Sequence, residues 1–158
     1  MIVDDQVQLV TFRIGEHRFA FNVFRVERIL RYEQPVPLPQ APDYLEGTIQ
    51  FGGEILPVID LRKRLETTAP IAEETRVMVL GLEQGKIGAV VDAVLEVMNV
   101  PAKRIRPPPS IVKGLAAQYI RGILTTEEST IVVLAVSRLL TSEERLVIDA
   151  LTAEVAHE

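Results

Sequence analysis

Short apolar runs rich in Val, Ile and Phe recur along the chain, each broken by Gly, Pro or a polar pair. That spacing predicts a mainly β fold. VQLVTFRI (7–14) and HRFAFNV (17–23) flank Gly15-Glu16 and predict a hairpin. VERILRY (26–32), YLEGTIQF (44–51) and EILPVID (54–60) predict three more strands, with Gly52-Gly53 as the turn between the last two. Pro57 has no N–H to donate, so the fifth strand is expected at a sheet edge or with a bulge. The polar stretch ETTAPIAEE (66–74) reads as a connection, and RIRPPPSIVKG (104–114) as a loop.

The second half repeats the first. A shift of 68 lays Leu9, Val10, Phe12, Phe21, Val26 and Ile29 on Val77, Met78, Leu80, Ala89, Val94 and Val97. A shift of 75 lays Tyr44, Leu45 and Gly47 on Tyr119, Ile120 and Gly122, and Leu56, Val58 and Ile59 on Ile131, Val133 and Leu134. Apart from the matched glycines, each of these pairs sets an apolar residue on an apolar one, as an internal duplication requires. Five short strands in each half predict two small β-barrels packed together, since closure removes open edges. The halves, roughly 7–65 and 75–140, then form one domain spanning 6–140, with exchange of strands across the middle allowed. The segment 141–156 has helical spacing instead. Thr141 and Glu144 form a capping-box pattern, and Val147, Ile148, Leu151 and Val155 are expected on one buried stripe.

The totals narrow the classes of function. The chain has 158 residues, 47% of them apolar and 25% charged, which fits one soluble domain. A net charge of −5 argues against a nucleic-acid binder. There is no cysteine, hence no thiolate chemistry. The opening MIVDDQVQLV is no signal peptide, and no run reaches the ~18 apolar residues of a membrane span, so a cytoplasmic protein is expected.

Candidate chemistry is sparse. His17 and His157 have no partners at metal-ligand spacing and read as surface imidazoles. Gly52-Gly53 lacks the Lys-Ser/Thr of a phosphate loop. Asp60 and Asp92 each end an apolar strand and read as caps rather than a catalytic pair. Arg62-Lys63-Arg64 and the group Lys103, Arg104 and Arg106 read as solvated faces, with few aromatics for base stacking. No nucleophile, base, metal or cofactor site can be assembled. Apolar walls where two barrels meet would suit a protein-binding module instead.

The segments VQLVTFRIGEHRFAFNVFRVERIL, VPLPQAPDYLEGTIQFGGEILPVIDLRKRL, RVMVLGLEQGKIGAVVDAVLEVMNVPAKRIRPPP and YIRGILTTEESTIVVLAVSRLLTSEE resemble the CheW family of chemotaxis coupling proteins. The resemblance covers residues 6 to 155 in order. It implies two five-stranded SH3-like barrels and a non-catalytic adaptor. Such an adaptor links the cytoplasmic hairpin tip of a chemoreceptor to the regulatory domain of a CheA-type histidine kinase, at membrane-associated arrays. Val26, Ile29 and Ile55 would face the receptor, with Val94 and Leu139 in its groove. Gly47, Gly53, Pro57, Asp60, Gly88, Asp92 and Gly122 would serve turns and strand ends. Two positions depart from the family pattern: Arg28 stands where V-x-E-I has its acid, and Gly52 where N-L-R-G has its arginine. Both are placed with the receptor-facing residues, and Glu54 is the expected new partner of Arg28. A scaffold for a divergent or non-flagellar pathway is the alternative, or a small-barrel module that binds peptide or RNA.

Overall fold

The computed structural model describes residues 5–67, 69–108 and 115–156. Among these lie ten strands: β1 (Gln6–Ile14), β2 (His17–Asn22), β3 (Val26–Arg31), β4 (Leu45–Phe51), β5 (Glu54–Asp60), β6 (Arg76–Gly81), β7 (Lys86–Val91), β8 (Ala93–Pro101), β9 (Ile120–Thr125) and β10 (Thr130–Leu134). A one-turn helix α1 (Leu61–Arg64) follows β5, and α2 (Ser142–Ala156) closes the described chain. Loop 104–114 is described only up to residue 108.

The strands form two five-stranded sheets, in the orders β8-β1-β2-β10-β9 and β3-β6-β7-β5-β4. Neither sheet is one half of the sequence. The first joins the chain's opening hairpin to its last three strands, and the second takes the middle. The duplication is nonetheless preserved strand by strand. The shifts of 68 and 75 turn one sheet order into the other, and they also turn one register into the other. Leu9 opposite Asn22 becomes Val77 opposite Val90, and Val10 opposite Val97 becomes Met78 opposite Ile29. The parallel pair Val133–Ala20 becomes Val58–Gly88.

Alternation along each strand divides the apolar residues between two destinations. One set fills a small core inside each sheet. Leu9, Leu124, Ile131 and Val133 do so in the first, and their repeat mates Val77, Ile49, Leu56 and Val58 in the second. The other set meets between the sheets. Val10, Phe12, Phe21, Ile59, Met78, Leu80 and Leu134 belong to one shared core, where Phe12 and Phe21 stack with centroids 4.8 Å apart. Full burial of each such side chain contributes about 1.5–3 kcal/mol, so the shared core resists separation of the sheets.

β5 lies between β7 and β4 and shows no register shift at Pro57, so it is neither an edge strand nor bulged there. Pairing with β7 begins only at Val58, and the missing N–H of Pro57 falls before that ladder. Gly88 is held for space, because a Cβ would lie 2.8 Å from Val77 Cγ1. Ala20, its repeat mate, is fully buried in the other small core.

In α2 the capping box is present: Thr141 Oγ1 accepts from the Glu144 N–H at 3.1 Å, and Glu144 Oε1 from the Thr141 N–H at 2.9 Å. Ile148 enters the shared core and Leu151 packs against it, but Val147 is 43% exposed. Val147 stands ~100° around the helix from Ile148, too far to share its narrow buried stripe. The side chain of Val155 lies outside the described residues. No helix among the described residues is long and apolar enough to cross a membrane.

Each sheet is drawn towards closure by a bridge from the segment leaving its first edge strand. Val36 bonds Thr48 on β4 in both directions (2.8 and 3.0 Å), and Arg106 does the same with Ile123 on β9 (2.9 and 2.8 Å). The close approach requires the glycines before them. A Cβ on Gly47 (φ +144°) would meet the Val36 carbonyl oxygen at 2.2 Å, and one on Gly122 would meet Ile105 Cγ2 at 2.6 Å. This accounts for the repeated Tyr-x-x-Gly. Gly47→Ala should therefore cost about 3 kcal/mol or prevent folding, whereas Gly52→Ala, strained at φ +58° but in open space, should cost only about 1 kcal/mol. Urea unfolding of the two variants decides it: equal losses would mean that backbone conformation, not the approach of Val36, is the constraint.

Candidate functional site

The junction of the sheets is built around a buried guanidinium. Asp60 ends β5 and caps α1, its Oδ1 accepting from the Arg62 N–H at 3.0 Å. The Arg62 side chain folds back on the same carboxylate, Nε on Oδ1 and an η-nitrogen on Oδ2, both at 2.9 Å. Its other η-nitrogen donates to Asp92 Oδ1 at 3.2 Å and to the Ala69 carbonyl at 2.9 Å. Asp92 lies where the chain passes from β7 to β8, and its Oδ2 accepts from the Gly15 N–H at 2.7 Å, in the β1–β2 turn of the other sheet. All three side chains are less than 10% exposed. Hydrogen bonds to Asp60 outweigh burial and, with those to Asp92, raise the Arg62 guanidinium above its ordinary value. Within this group Asp92 bridges the sheets, accepting from Arg62 with one oxygen and from the Gly15 N–H of the first sheet with the other.

A second cation lies nearby. Arg64 is nine-tenths buried and pairs with Glu144 at the start of α2. It donates to the Tyr119 hydroxyl at 3.1 Å and stands 4.8 Å from the centre of the Tyr44 ring. Tyr44 and Tyr119 are repeat mates, so the duplication supplies both rings that hold this arginine. Of the run Arg62-Lys63-Arg64 only Lys63 is solvated, paired at 2.7 Å with Glu46. A run of three cations reads as surface because isolated charges avoid burial. The signal that could have found Arg62 is the Asp two residues before it together with a second strand-end Asp.

The residues expected to face a receptor fall into three places. Val26 and Val94, which are repeat mates, lie near the starts of β3 and β8 and pack half-buried against the shared core. Further along the same two strands, Ile29 is 41% and Val97 58% exposed, so each sheet offers an apolar position on its own edge strand. Ile55 lies apart, in a groove of about 350 Å³ between the β4–β5 hairpin and α2. Gly52 and Gly53 sit at the open tip of that hairpin. Leu139 is fully buried in the shared core and offers no surface in this state.

Arg28 does not pair with Glu54. Its guanidinium lies over the Phe51 ring at 6.0 Å, and Lys86 reaches the same ring at 5.7 Å while paired with Glu27 at 3.1 Å. Lys86 and Glu27 neutralise each other, and Arg28 keeps its charge exposed. Arg104 is exposed and bonds the Thr125 carbonyl at 3.2 Å. His17 is exposed at the start of β2, and His157 lies outside the described residues. Among the described residues no group of three acids or imidazoles could hold a metal ion.

Two predictions follow from the junction. Asp92→Asn strands part of the Arg62 charge in the interior and should cost about 3 kcal/mol, while Lys63→Met should cost at most about 1 kcal/mol. Urea midpoints test this, and a mild Asp92→Asn would remove the ion group from the account. The second concerns Glu144. Burial would raise its carboxyl, but bonds from Arg64 and Thr141 prevail and hold it below its ordinary 4.5. Its contribution is therefore present above pH 4.5 and lost as pH falls through the lowered folded value. Glu144→Gln should destabilise at neutral pH, with a cost that shrinks progressively as pH falls below 4.5. An equal cost at neutral and acid pH would contradict the pairing.

Comparison with known proteins follows the same lines. Residues 8–144 match the CheW-like domain family. The chain is 33% identical over 146 residues to the chemotaxis protein CheW of Treponema pallidum, covering 89% of this chain and 86% of that one. It is 32% identical over 143 residues to CheW of Klebsiella aerogenes, covering 90% and 86%. The crystal structure of the scaffolding protein TtCheW from Thermoanaerobacter tengcongensis superposes with a TM-score of 0.81 at 27% identity, over 89% of this chain and 97% of that one. The chain thus belongs to the family of CheW-like domains and is a chemotaxis-type coupling adaptor, not an enzyme.

Proposed function

We propose that the chain couples the cytoplasmic hairpin tip of a chemoreceptor to the regulatory domain of a CheA-type histidine kinase, at receptor arrays. The observation that carries this is the pair of repeat-related edge strands β3 and β8. Val26 and Val94, near their starts, border the core shared by both sheets, and Ile29 and Val97 further along are exposed. Exposed apolar side chains placed on both sides of a rigid junction suit a helical partner laid along it. The exposed charge of Arg28 extends this surface on β3, while Gly52 and Ile55 on the β4–β5 hairpin form a second patch, and together they set which receptor is accepted. A net charge of −5 opposes nucleic acid as the partner.

Calorimetric titration with the regulatory domain of each CheA-type kinase of the same organism tests the reading. Saturable binding to one of them is expected, and binding to none would overturn it. On the receptor side, Ile29→Asp and Val97→Asp should each weaken binding of the hairpin tip about tenfold or more and leave kinase affinity unchanged. Arg28→Glu combined with Gly52→Arg should change receptor affinity as well, and unchanged affinity would remove these two positions from recognition.

A further inference from the structure

The repeat allows one part of the molecule to be compared with another. Each sheet carries a cleft at the same place in the repeat. In the second sheet it holds about 340 Å³ and is lined by Glu46, Asp60, Arg62, Lys63 and Val90, among others. The shifts of 75 and 68 carry these residues to Arg121, Ala135, Ser137, Arg138 and Asn22. Four of those five, all but Arg138, line a cleft of about 320 Å³ in the first sheet.

The two clefts differ in how their charges are met. In the second sheet each cation has an acid inside the chain: Lys63 pairs with Glu46 at 2.7 Å, and Arg62 with Asp60 at 2.9 Å. In the first sheet the acids are gone. Arg25 and Arg121 are the charged residues of the lining, and no carboxylate accompanies them. Arg25 makes one long bond, 3.4 Å to the Gly81 carbonyl. Arg121 is exposed, and among the described residues it forms neither an ion pair nor a side-chain hydrogen bond. Asn22 and Ser137 add further donors to the lining. The apolar part of the wall comes from the half-buried Val7 and Ile105, which pack on Leu9 and Val133 of the small core behind them.

We propose that this cleft docks a partner segment presenting a carboxylate beside an apolar side chain. Two arginines standing without acids, in a chain of net charge −5, line the cleft whose repeat mate holds an internal ion cluster. A guanidinium matches a carboxylate in two parallel bonds, and the apolar neighbour would cover the wall. None of the residues assigned to receptor recognition lines the cleft, so the inference does not rest on the coupling reading.

The probe is the blocked peptide acetyl-Leu-Asp-Leu-Asp-amide, titrated into isotope-labelled full-length protein and followed by NMR, with the Leu-Asn-Leu-Asn peptide as control. The expected result is saturable shifts at Val7, Leu9, Val133 and Leu134 in the millimolar range, with the neutral peptide about tenfold weaker. Arg121→Ala should weaken the acidic peptide about tenfold with no change in the urea midpoint, because the side chain is exposed. The proposal is overturned by shifts absent from these residues, by equal binding of both peptides, or by unaltered binding to the Arg121 variant. Shifts at the same residues that grow with protein concentration alone would assign the cleft to a second copy and overturn it too.

Discussion

The guanidinium of Arg62 is the point on which the arrangement turns. A charge this deep in a protein costs several kcal/mol unless its donors are met. Here they are met by Asp60 from one sheet, by Asp92 at the crossover to the other, and by the Ala69 carbonyl. Asp92 then takes the Gly15 N–H of the opposite sheet. An apolar substitute could match the stability but would lose the link through Asp92 to the Gly15 N–H of the opposite sheet. The shared core around Phe12, Phe21, Met78 and Leu80 supplies cohesion, and the ion group supplies that polar link.

Exchange of strands between the halves follows from the same junction. Had each half folded on itself, the residues now in the shared core would have faced each other only across a surface contact. Instead the chain crosses between the sheets after β2 and after β7, and neither half of the sequence can leave without breaking strand pairs. An adaptor gains from this. A partner that binds one edge strand engages a body whose two sheets share one core, and β3 and β8 present equivalent positions on either side of it.

Much of this was legible in the sequence. The ten strands, the capping box of α2 and the duplication follow from local pattern, and the register confirms the shifts of 68 and 75 residue by residue. What local pattern cannot give is which strand lies beside which. Pro57 read as an edge signal because the sequence does not say where the β7 ladder begins. Arg62 and Arg64 read as solvent-facing because their partners are 30 and 80 residues away. Val147 read as buried because an apolar residue beside Ile148 looks like part of its stripe. Arg28 was matched to Glu54 by charge alone, and the structure gives it an aromatic ring instead. Periodicity alone does not single out Ile29 or Val97, because an exposed apolar residue on an edge strand looks like any other strand residue.

Both copies of the repeat contribute strands to both sheets, so the protein should unfold as a single cooperative body. Native-state hydrogen exchange of the free protein tests it most directly. The slowest amides of β1 and β2 and those of β6 and β7 should exchange with one common free energy, equal to that of global unfolding. A second sheet that opens at clearly lower free energy, while the first stays protected, would show two independent units and contradict the account.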